Sequence, residues 1–516
     1  MNAQTKNEMN KNNIYVSSEI GTLRRLLVHS PDGGIGKIIP TKFKDWLYDD
    51  TVDLEKMQDE YDEYIKILLY FLDPPKIQKI NNWEKKHGDN RAIFMPNKEE
   101  YFSSNFVIEI QEILAKILDN TSIKSKLVSA VCSIEGCTYP IENKLNHLSP
   151  IELSKTLITG IIKEHKKETF IFPPLPNLVF TRDIGITIKD HILLSKTAKL
   201  ARKRESILAK YIAYFYLFED KQEAVIEISE DSDYFLDDEK HQINKIVTIE
   251  GGDIMMMSPN HLIVGCSERT SPSAVDKIIH KIFSIKSLEI EYISVIKIKA
   301  ERAQMHIDTI FTQVSKAHWV LHPKFSEKLK LERDKQNKNY SQLLRTGKDE
   351  LEHKEVDIIQ FFKHKNATYD PSKNYIYKES TKLKGMEDFL VSISVRDFGI
   401  KEAEVQIIYS GNNEFPYSER EQWTDSCNLL AIKDGVVLGY DRNSKTAKAF
   451  EEQLGYDVVK SSVLIKEFEN PEPGNRKPDT LAKTLILLPS SELSRARGGS
   501  HCMSMPLLRD EVEVIR

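Results

Sequence analysis

The segment Val247–Ser267 reads VTIEGGDIMMMSPNHLIVGCS, and it decides the fold class of this 516-residue chain. Two apolar runs rich in Ile, Met, Leu and Val flank the turn residues Ser258–Asn260, a pattern typical of a β-hairpin. A carboxylate and two glycines stand beside the end of the first run. The segment therefore predicts a strand–turn–strand unit with an acid at a strand end.

The same pattern recurs along the chain, and helices follow several of its copies. Amphipathic helices are expected at about Ala198–Phe218, Ser273–Ile285 and Lys445–Leu454, and an opening strand at Leu23–His29. Repeated hairpins followed by helices favour a closed, pseudo-symmetric α/β assembly, but the pattern alone fits an open α/β sandwich equally well. The other three hairpin segments are Asn177–Ser195, Met305–Pro323 and Cys427–Tyr440.

Two stretches interrupt the repeats without adding a chemical motif. Residues 51–168 contain long charged and apolar periodic runs, which predict a mostly helical insert. Residues 325–397 are rich in Lys, Glu and Asn and predict a second, charged insert of helices and loops. We therefore expect one catalytic α/β domain over residues 1–516, interrupted by these two inserts.

Composition and charge limit the partners and the cellular compartment that we expect for this protein. The 73 Lys and Arg against 78 Asp and Glu give a net charge of −5, which gives no reason to expect a nucleic acid or an anionic membrane as partner. No apolar run approaches the roughly 20 residues that span a bilayer, and the first dozen residues lack a secretory h-region. The five widely spread cysteines include Cys132 and Cys137, which are too far apart for a CxxC site. We expect a reduced, cytoplasmic protein.

The C-terminal segment Ser491–Leu507, SELSRARGGSHCMSMPL, is the most informative for chemistry. Two glycines upstream of Cys502 permit a tight loop and a close approach to substrate. The nearby Arg495 and Arg497 would favour the thiolate, which is the attacking species. Taken alone, however, an isolated cysteine is more often a core residue.

Three further segments place acids at strand ends. In Met305–Phe311, MHIDTIF, a strand would direct His306 and Asp308 to one face. Asp183 ends the segment NLVFTRD, and Glu250 begins EGGD. Each alone reads as an ordinary structural acid or His–Asp pair. Together they match a guanidinium, which is planar and cationic and needs several carboxylates, a nucleophile and an acid for the departing nitrogen.

At this point the sequence resembles the bacterial arginine deiminase family, within the superfamily of guanidino-group-modifying enzymes. The matching segments appear in the family's order from Gly21 to Pro506, and the two inserts lie outside the match. These segments are GTLRRLLVHSP, LYDD, PNLVFTRD, IEGGD, CSERT, MHIDTIF, GVVLGYDRN and SRARGGSHCMSMP.

The resemblance implies a five-bladed, pseudo-symmetric α/β propeller with a helical insert, and it implies roles for single residues. Cys502 would be the nucleophile and His306 the general acid and base. Asp183 and Asp308 would bind the guanidinium, and Glu250 would assist at the same group. The implied reaction converts free L-arginine to citrulline and ammonia through a covalent thiouronium, without metal or organic cofactor.

The resemblance also implies a substrate-binding set. Arg202, Arg269 and Arg497 fall where the family binds the α-carboxylate of the substrate, which argues for a free amino acid over agmatine or protein-bound arginine. Asn177 and Phe180 match positions that line the pocket. Ala496 departs from the family, which often has Gly there, and His501 receives no role. Family members usually self-associate, so a homo-oligomer is expected.

Four other functions remain open from the sequence. Related enzymes carry guanidine chemistry further, to ornithine (arginine dihydrolase), or transfer the amidino group to an amine. The substrate could also be a modified arginine, since the inserts could reshape the entrance. A protein of another class, a non-catalytic arginine-binding sensor, would be free to lose one of the five catalytic candidates, yet all five are present.

Overall fold

The structure is a computed structural model, and it describes residues 13–48, 50–88, 91–164, 167–229, 246–299, 305–336, 356–363, 377–383 and 385–514. Its residues form a mixed α/β fold. The first dozen residues, Asp49 of the LYDD segment and parts of the second insert lie outside the described residues. In the part of the chain that is described, no helix combines the length and the apolar character needed to cross a membrane.

The helices confirm the sequence pattern closely. The three expected helices are present at residues 203–212, 272–284 and 444–454, the first continuing as a π-helix to residue 217. Within the described residues the α-helices are α1 (Phe43–Trp46), α2 (Leu54–Leu72), α3 (Pro74–His87), α4 (Ile110–Leu118), α5 (Thr121–Glu135), α6 (Tyr139–His147), α7 (Pro150–Thr159), α8 (Lys203–Ile212), α9 (Pro272–Ser284), α10 (Glu327–Gln336), α11 (Met386–Phe398), α12 (Tyr417–Trp423), α13 (Ser444–Leu454) and α14 (Ser461–Glu469).

The strands form several small sheets. They are β1 (Leu23–Val28), β2 (Val107–Glu109), β3 (Ile161–Glu164), β4 (Lys167–Phe170), β5 (Gly185–Ile188), β6 (His191–Leu194), β7 (Val225–Ile226), β8 (Ile254–Ser258), β9 (His261–Cys266), β10 (Tyr292–Lys297), β11 (Phe311–Gln313), β12 (His318–Leu321), β13 (Asp357–Lys363), β14 (Tyr377–Leu383), β15 (Gln406–Tyr409), β16 (Leu430–Lys433), β17 (Val436–Tyr440), β18 (Asp457–Lys460), β19 (Thr484–Leu488) and β20 (Met505–Arg509). The four predicted hairpins are confirmed as β5–β6, β8–β9, β11–β12 and β16–β17.

One connection pattern recurs in five of these sheets. Each has an antiparallel strand pair whose second strand also pairs in parallel with a third, as in β5–β6–β7 and β8–β9–β10. The fifth unit joins distant parts of the chain, because β20 pairs antiparallel with β1, and β1 pairs in parallel with β2. The repetition that the sequence predicted is therefore present in the strand pairing. The five-bladed propeller itself stays a prediction.

The helices cover these sheets with their apolar faces. In α9 the buried Val275, Ile278 and Ile282 belong to the same core cluster as Ile254 of β8 and Val264 of β9. Ser271 caps this helix by accepting the Ala274 N–H, and Pro272 fits its first turn because it needs no amide partner. Such sheets, covered by helices, bury both strand faces, so β8 reads as a continuous apolar run.

The secondary structure expected from the sequence is observed in the first predicted insert but only in part in the second. Helices α2 to α7 fill most of residues 51–168, with the short strand β2 between α3 and α4. Residues 325–397 hold helices α10 and α11, but also β13 and β14, which extend the β8–β9–β10 sheet. The expectation of helices and loops there was therefore incomplete. In β13 the alternation of buried Ile358 and Gln360 with half-buried residues is the period-two pattern that the high charge of the segment obscured.

Candidate active site

Short 3-10 turns carry the predicted acids to one place. Asp183 lies in the turn Thr181–Ile184 before β5, and Asp308 lies in the turn Ile307–Thr309 before β11. Glu250 directly precedes the turn Gly251–Asp253, which leads into β8. His306 and Asp308 are thus not on a strand, as the sequence pattern suggested, since the backbone folds into a turn between them. They reach the same site through this turn.

Glycines allow these turns to pack against each other. A Cβ on Gly251 would lie 2.0 Å from the Arg182 carbonyl oxygen, and one on Gly252 would lie 2.6 Å from His306 Nδ1. Contacts this short cannot be relieved without moving backbone or imidazole. The EGGD segment therefore needs both glycines so that Glu250 can approach His306.

His306 and Glu250 form a buried acid–base pair. His306 Nε2 lies 3.0 Å from Glu250 Oε2, while Nδ1 lies 3.7 Å from Asp183 Oδ1. Burial alone would lower the pKa of His306, but the charge of Asp183 and the hydrogen bond with Glu250 outweigh it and raise that pKa to about 10. Burial would raise the pKa of Glu250, but Arg202 and the His306 hydrogen bond lower it to about 2. The pair is therefore an imidazolium beside a carboxylate.

The Cys502 thiol lies next to a carboxylate. Its Sγ is 3.6 Å from Asp308 Oδ2, and its backbone N–H donates to Asn428 Oδ1 at 2.9 Å. Burial and the charges of Asp308 and Asp183 raise the pKa of the thiol well above its ordinary value. The expectation that nearby arginines favour a thiolate is not met here. One of those arginines, Arg495, is half-exposed and pairs with Asp50, away from the sulfur.

His501 belongs to a chain of buried polar groups behind the nucleophile, although the sequence gave it no role. Its Nδ1 lies 3.0 Å from Asp308 Oδ2 and its Nε2 lies 3.2 Å from Glu19 Oε2. Glu19 in turn accepts from Arg182 NH2 at 2.5 Å. Burial would raise the pKa of Asp308, but the His501 hydrogen bond and charge lower it. His501 thus helps to keep Asp308 ionised beside Cys502.

The three predicted substrate-binding arginines lie at the same pocket but differ in their partners. Arg202 NH1 donates to Asp183 Oδ2 at 2.8 Å and to Glu250 Oε2 at 3.2 Å. Arg269 NH1 lies 3.7 Å from Glu250 Oε1. The Arg497 guanidinium lies 3.5 Å from the ring centroid of Trp423. Arg202 therefore contacts two of the carboxylates that the sequence assigned to the substrate guanidinium.

One narrow pocket joins these groups. Its cavity volume is about 30 Å³, and all the predicted site residues except Glu250 and Asp308 line it. Those two carboxylates are fully buried directly behind it. Ala496, where the family often has Gly, also lines the pocket, so its Cβ faces the space that a substrate would enter.

A larger cleft, of about 520 Å³, lies between α2, α3 and α14. Two ion pairs occupy its walls, Lys66 with Glu84 and Arg91 with Asp62. None of the predicted site residues lines it, and neither does a cysteine or a histidine. We take the smaller pocket as the candidate active site because the thiol, the imidazole and the carboxylates converge there.

The same carboxylates could be considered as metal ligands. One ligand atom each from Asp183, Glu250 and His306 lies within 4.8 Å of the others. However, Arg202 already donates to both carboxylates, and the raised pKa of His306 keeps its imidazole protonated. Metal ligands must be deprotonated, so this donor set fits a metal poorly.

Sequence reasoning missed two residues at this site, Asp425 and Asn428. Asn428 accepts the Cys502 N–H and donates from Nδ2 to the Asp308 carbonyl at 3.3 Å, so it links the nucleophile to the carboxylate turn. Asp425 lines the pocket. Asp425 lies in the turn 424–427 and Asn428 directly after it, just before the β16–β17 hairpin, and this position relative to the hairpin was the signal that could have found them.

Comparison with known proteins agrees with this chemistry. The sequence profile of the family described as Arginine deiminase matches residues 150–509. This chain belongs to the arginine deiminase family. The arginine deiminase of Borreliella burgdorferi (strain ZS7) is 26% identical over 518 residues, covering 97% of this chain and 98% of that protein. That of Streptococcus pneumoniae (strain P1031) is 27% identical over 517 residues, covering 98% of this chain and 100% of that protein.

Solved structures of guanidino-modifying enzymes are similar at a lower level. SxtG, an amidinotransferase from Microseira wollei in the saxitoxin biosynthetic pathway, gives a TM-score of 0.43 at 10% identity, over 97% of this chain and 98% of that one. The N-terminal domain of the cyanobacterial arginine dihydrolase ArgZ gives 0.34 at 14% identity, over 65% of this chain and 76% of that one. The family assignment alone supports an amidine-hydrolysing enzyme acting on a small molecule.

Proposed function

We propose that this protein hydrolyses free L-arginine to L-citrulline and ammonia, with Cys502 as the nucleophile. The observation that carries the proposal is the set of unsatisfied groups at one pocket. Asp183 Oδ1 and Asp308 Oδ1 are buried acceptors without a hydrogen-bond partner among the described residues. Arg202 NH2 and Arg269 Nε and NH1 are buried donors in the same condition. A ligand with a guanidinium at one end and a carboxylate at the other would satisfy both sets.

Binding comes first. The guanidinium would donate N–H bonds to Asp183 and Asp308, which places its central carbon near Cys502 Sγ, itself 3.6 Å from Asp308 Oδ2. The α-carboxylate would bind Arg269, Arg497 and the free edge of Arg202. Asn177, held by its Nδ2 bond to the Trp46 carbonyl at 2.9 Å, and Phe180 would line the aliphatic chain. Agmatine lacks the carboxylate and would leave the arginine donors unpaired.

Activation of the thiol would depend on the substrate. Besides burial, the charges of Asp308 and Asp183 hold the pKa of Cys502 high. A guanidinium cation between those carboxylates opposes their field and lowers that pKa. The thiolate would therefore form in the complex, where its target carbon is already in place.

The reaction then needs two half-reactions. The thiolate forms a C–S bond to the guanidinium carbon, and protonated His306 gives a proton to one terminal nitrogen, which leaves as ammonia. A covalent thiouronium remains. Neutral His306 next accepts a proton from water, whose oxygen bonds to the same carbon. As the C–S bond breaks, the proton of the new hydroxyl passes to the sulfur, which restores the thiol, and neutral citrulline leaves. Glu250 stabilises the imidazolium each time it forms.

The test is a product balance on purified protein with L-arginine, without added metal. We expect one citrulline and one ammonia per arginine, no ornithine, and no turnover by a folded Cys502→Ala variant. Two ammonias and ornithine would indicate a dihydrolase, and amidino transfer to an added amine without ammonia would indicate a transferase. Binding of arginine without any product would indicate a modified substrate or a sensor.

We also propose the finer architecture that the family resemblance implies. The five repeated three-stranded units would be the blades of an α/β propeller, and the turns before their strands would meet at the pocket. Residues 51–168 and 325–397 would be inserts into this single catalytic domain. Self-association and a cytoplasmic location remain predictions from the resemblance and the composition.

A further inference from the structure

Asp425 is a pocket residue to which neither the sequence motifs nor the mechanism above gives a role. It lies in the turn 424–427, which leads into the hairpin β16–β17. Asp183 and Asp308 lie in the turns before the first strands of two other hairpins. Asp253 lies in the turn before the first strand of a third hairpin, so the repeated unit places a carboxylate before a hairpin a fourth time at Asp425.

The surroundings of Asp425 leave one of its oxygens without a partner. The side chain is 5% exposed and lines the pocket together with Arg497, Ala496 and Cys502. The nearby backbone N–H of Gly498 lowers the pKa of this carboxyl, and Oδ2 has no hydrogen-bond partner among the described residues. A buried carboxylate oxygen without a donor is costly, and a structural role on Gly498 alone does not explain it.

The charges that act on Asp425 support the same conclusion. Burial raises its pKa to about 7, Arg497 opposes this rise and Asp308 adds to it. Asp425 in turn contributes to the raised pKa of the Cys502 thiol. Its carboxyl group therefore lies within electrostatic reach of the nucleophile. A cation entering the pocket would favour the ionised form of this carboxyl.

We propose that Asp425 is a further substrate-binding residue, whose unpartnered Oδ2 accepts a hydrogen bond from a cationic nitrogen of the substrate. This inference rests on the proposed function, since it takes an amino acid with a guanidinium as the ligand. That ligand has two cationic groups. The guanidinium would come close because Asp308 and Cys502 are near, and the α-ammonium because Arg497, the neighbour of Asp425, would bind the α-carboxylate.

The test measures binding without turnover, in the Cys502→Ala background. Calorimetry with L-arginine should give a dissociation constant at least tenfold higher after Asp425→Asn, because the amide keeps the size and shape of the side chain but loses the charge. Asp425→Glu keeps the charge and should restore part of the affinity. If Asp425 only supported the backbone at Gly498, arginine affinity should instead be retained in Asp425→Asn and reduced in Asp425→Glu. Asp434→Asn, in the turn of the same hairpin where Asp434 accepts the Lys316 N–H, is the matched control and should bind as the parent does.

Two analogues identify the cationic group. Agmatine carries the guanidinium without the α-ammonium, and citrulline carries the α-ammonium without the guanidinium. Whichever of them loses affinity in the Asp425→Asn variant shows which nitrogen is bound. In addition, titration near pH 6.5 in two buffers of different ionisation enthalpy should show protons released on arginine binding, and fewer of them after Asp425→Asn.

The outcomes separate this inference from the function on which it rests. Arginine binding that is unchanged by Asp425→Asn overturns the role of Asp425 and leaves the proposed reaction intact. Failure of arginine to bind the parent, together with no citrulline from the wild type, overturns both. Thermal unfolding of each variant shows whether the comparison is between folded proteins.

Discussion

Replacing Arg202 by methionine should destabilise the protein far more than the same change at Arg269. Arg202 is buried and contacts three carboxylates, with Nε 2.8 Å from Glu205 and NH1 2.8 Å from Asp183 and 3.2 Å from Glu250. Removing it leaves buried negative charge uncompensated, which costs about 3–5 kcal/mol when one partner of a buried pair is lost. Urea unfolding at pH 8, where carboxylates without a partner cannot easily protonate, measures this loss.

Arg269 is the matched control because it is equally buried but weakly paired. Its nearest carboxylate oxygens are 3.7 Å away on Glu250 and 3.8 Å away on Glu268, and its Nε and NH1 have no hydrogen-bond partner among the described residues. Arg269→Met should therefore change the free energy of unfolding by under about 1 kcal/mol in either direction. Equal losses in the two variants would refute the view that Arg202 holds the acid cluster together.

Three further predictions concern single groups around the pocket. Asn428→Ala removes the acceptor 2.9 Å from the Cys502 N–H, so we expect at least a tenfold lower kcat in steady-state assays, with folding retained; an unchanged kcat would contradict this positioning role. Gly498→Ala places a Cβ 2.2 Å from a ring atom of Phe180 and should push that ring into the pocket, raising KM at least tenfold; normal kinetics would show that the ring moves elsewhere. Burial raises the pKa of Glu205 from 4.5 to about 7, so the folded state binds more protons than the unfolded state and stability should fall as the pH rises between these values. Glu205→Gln should reduce this decrease of stability with pH. For one proton the slope of the decrease is at most about 1.4 kcal/mol per pH unit. Identical slopes for the variant and the wild type in pH-dependent unfolding would contradict the role of Glu205.

The sequence predicted the parts of the fold that depend on local patterns. Hairpins such as β8–β9 and helices such as α9 follow from apolar periodicity and turn residues, which neighbouring residues largely determine. Strand β13 was missed because its apolar residues lie in a highly charged stretch. Its place in the sheet depends on β10, about 60 residues earlier in the chain.

In the candidate site, too, local motifs were predictable from the sequence, whereas properties that depend on distant segments were not. Motifs pointed to Asp183, Glu250, His306, Asp308 and Cys502, and the structure brings these side chains together, while their roles stay a prediction. Their ionisation states were not predictable, because a pKa depends on burial and on partners brought together by folding. The Cys502 thiol was expected to be acidic from its arginine neighbours in the chain. Carboxylates from distant segments have the opposite effect.

The pairing of β1 with β20 has a consequence for synthesis on the ribosome. Arg24 in β1 and Asp510, just after β20, form an ion pair across 486 positions of the chain. At ordinary elongation rates the edge of β1 that receives β20 waits roughly 25 to 100 s for its partner. Such an open edge is a template for wrong pairing, with a second nascent chain for example. Cys502 precedes β20 by only three residues, so the proposed nucleophile would join the acids and the imidazole of the candidate site at the step that closes this edge. A chain that stalls before that point has its acids and its imidazole but no reactive sulfur.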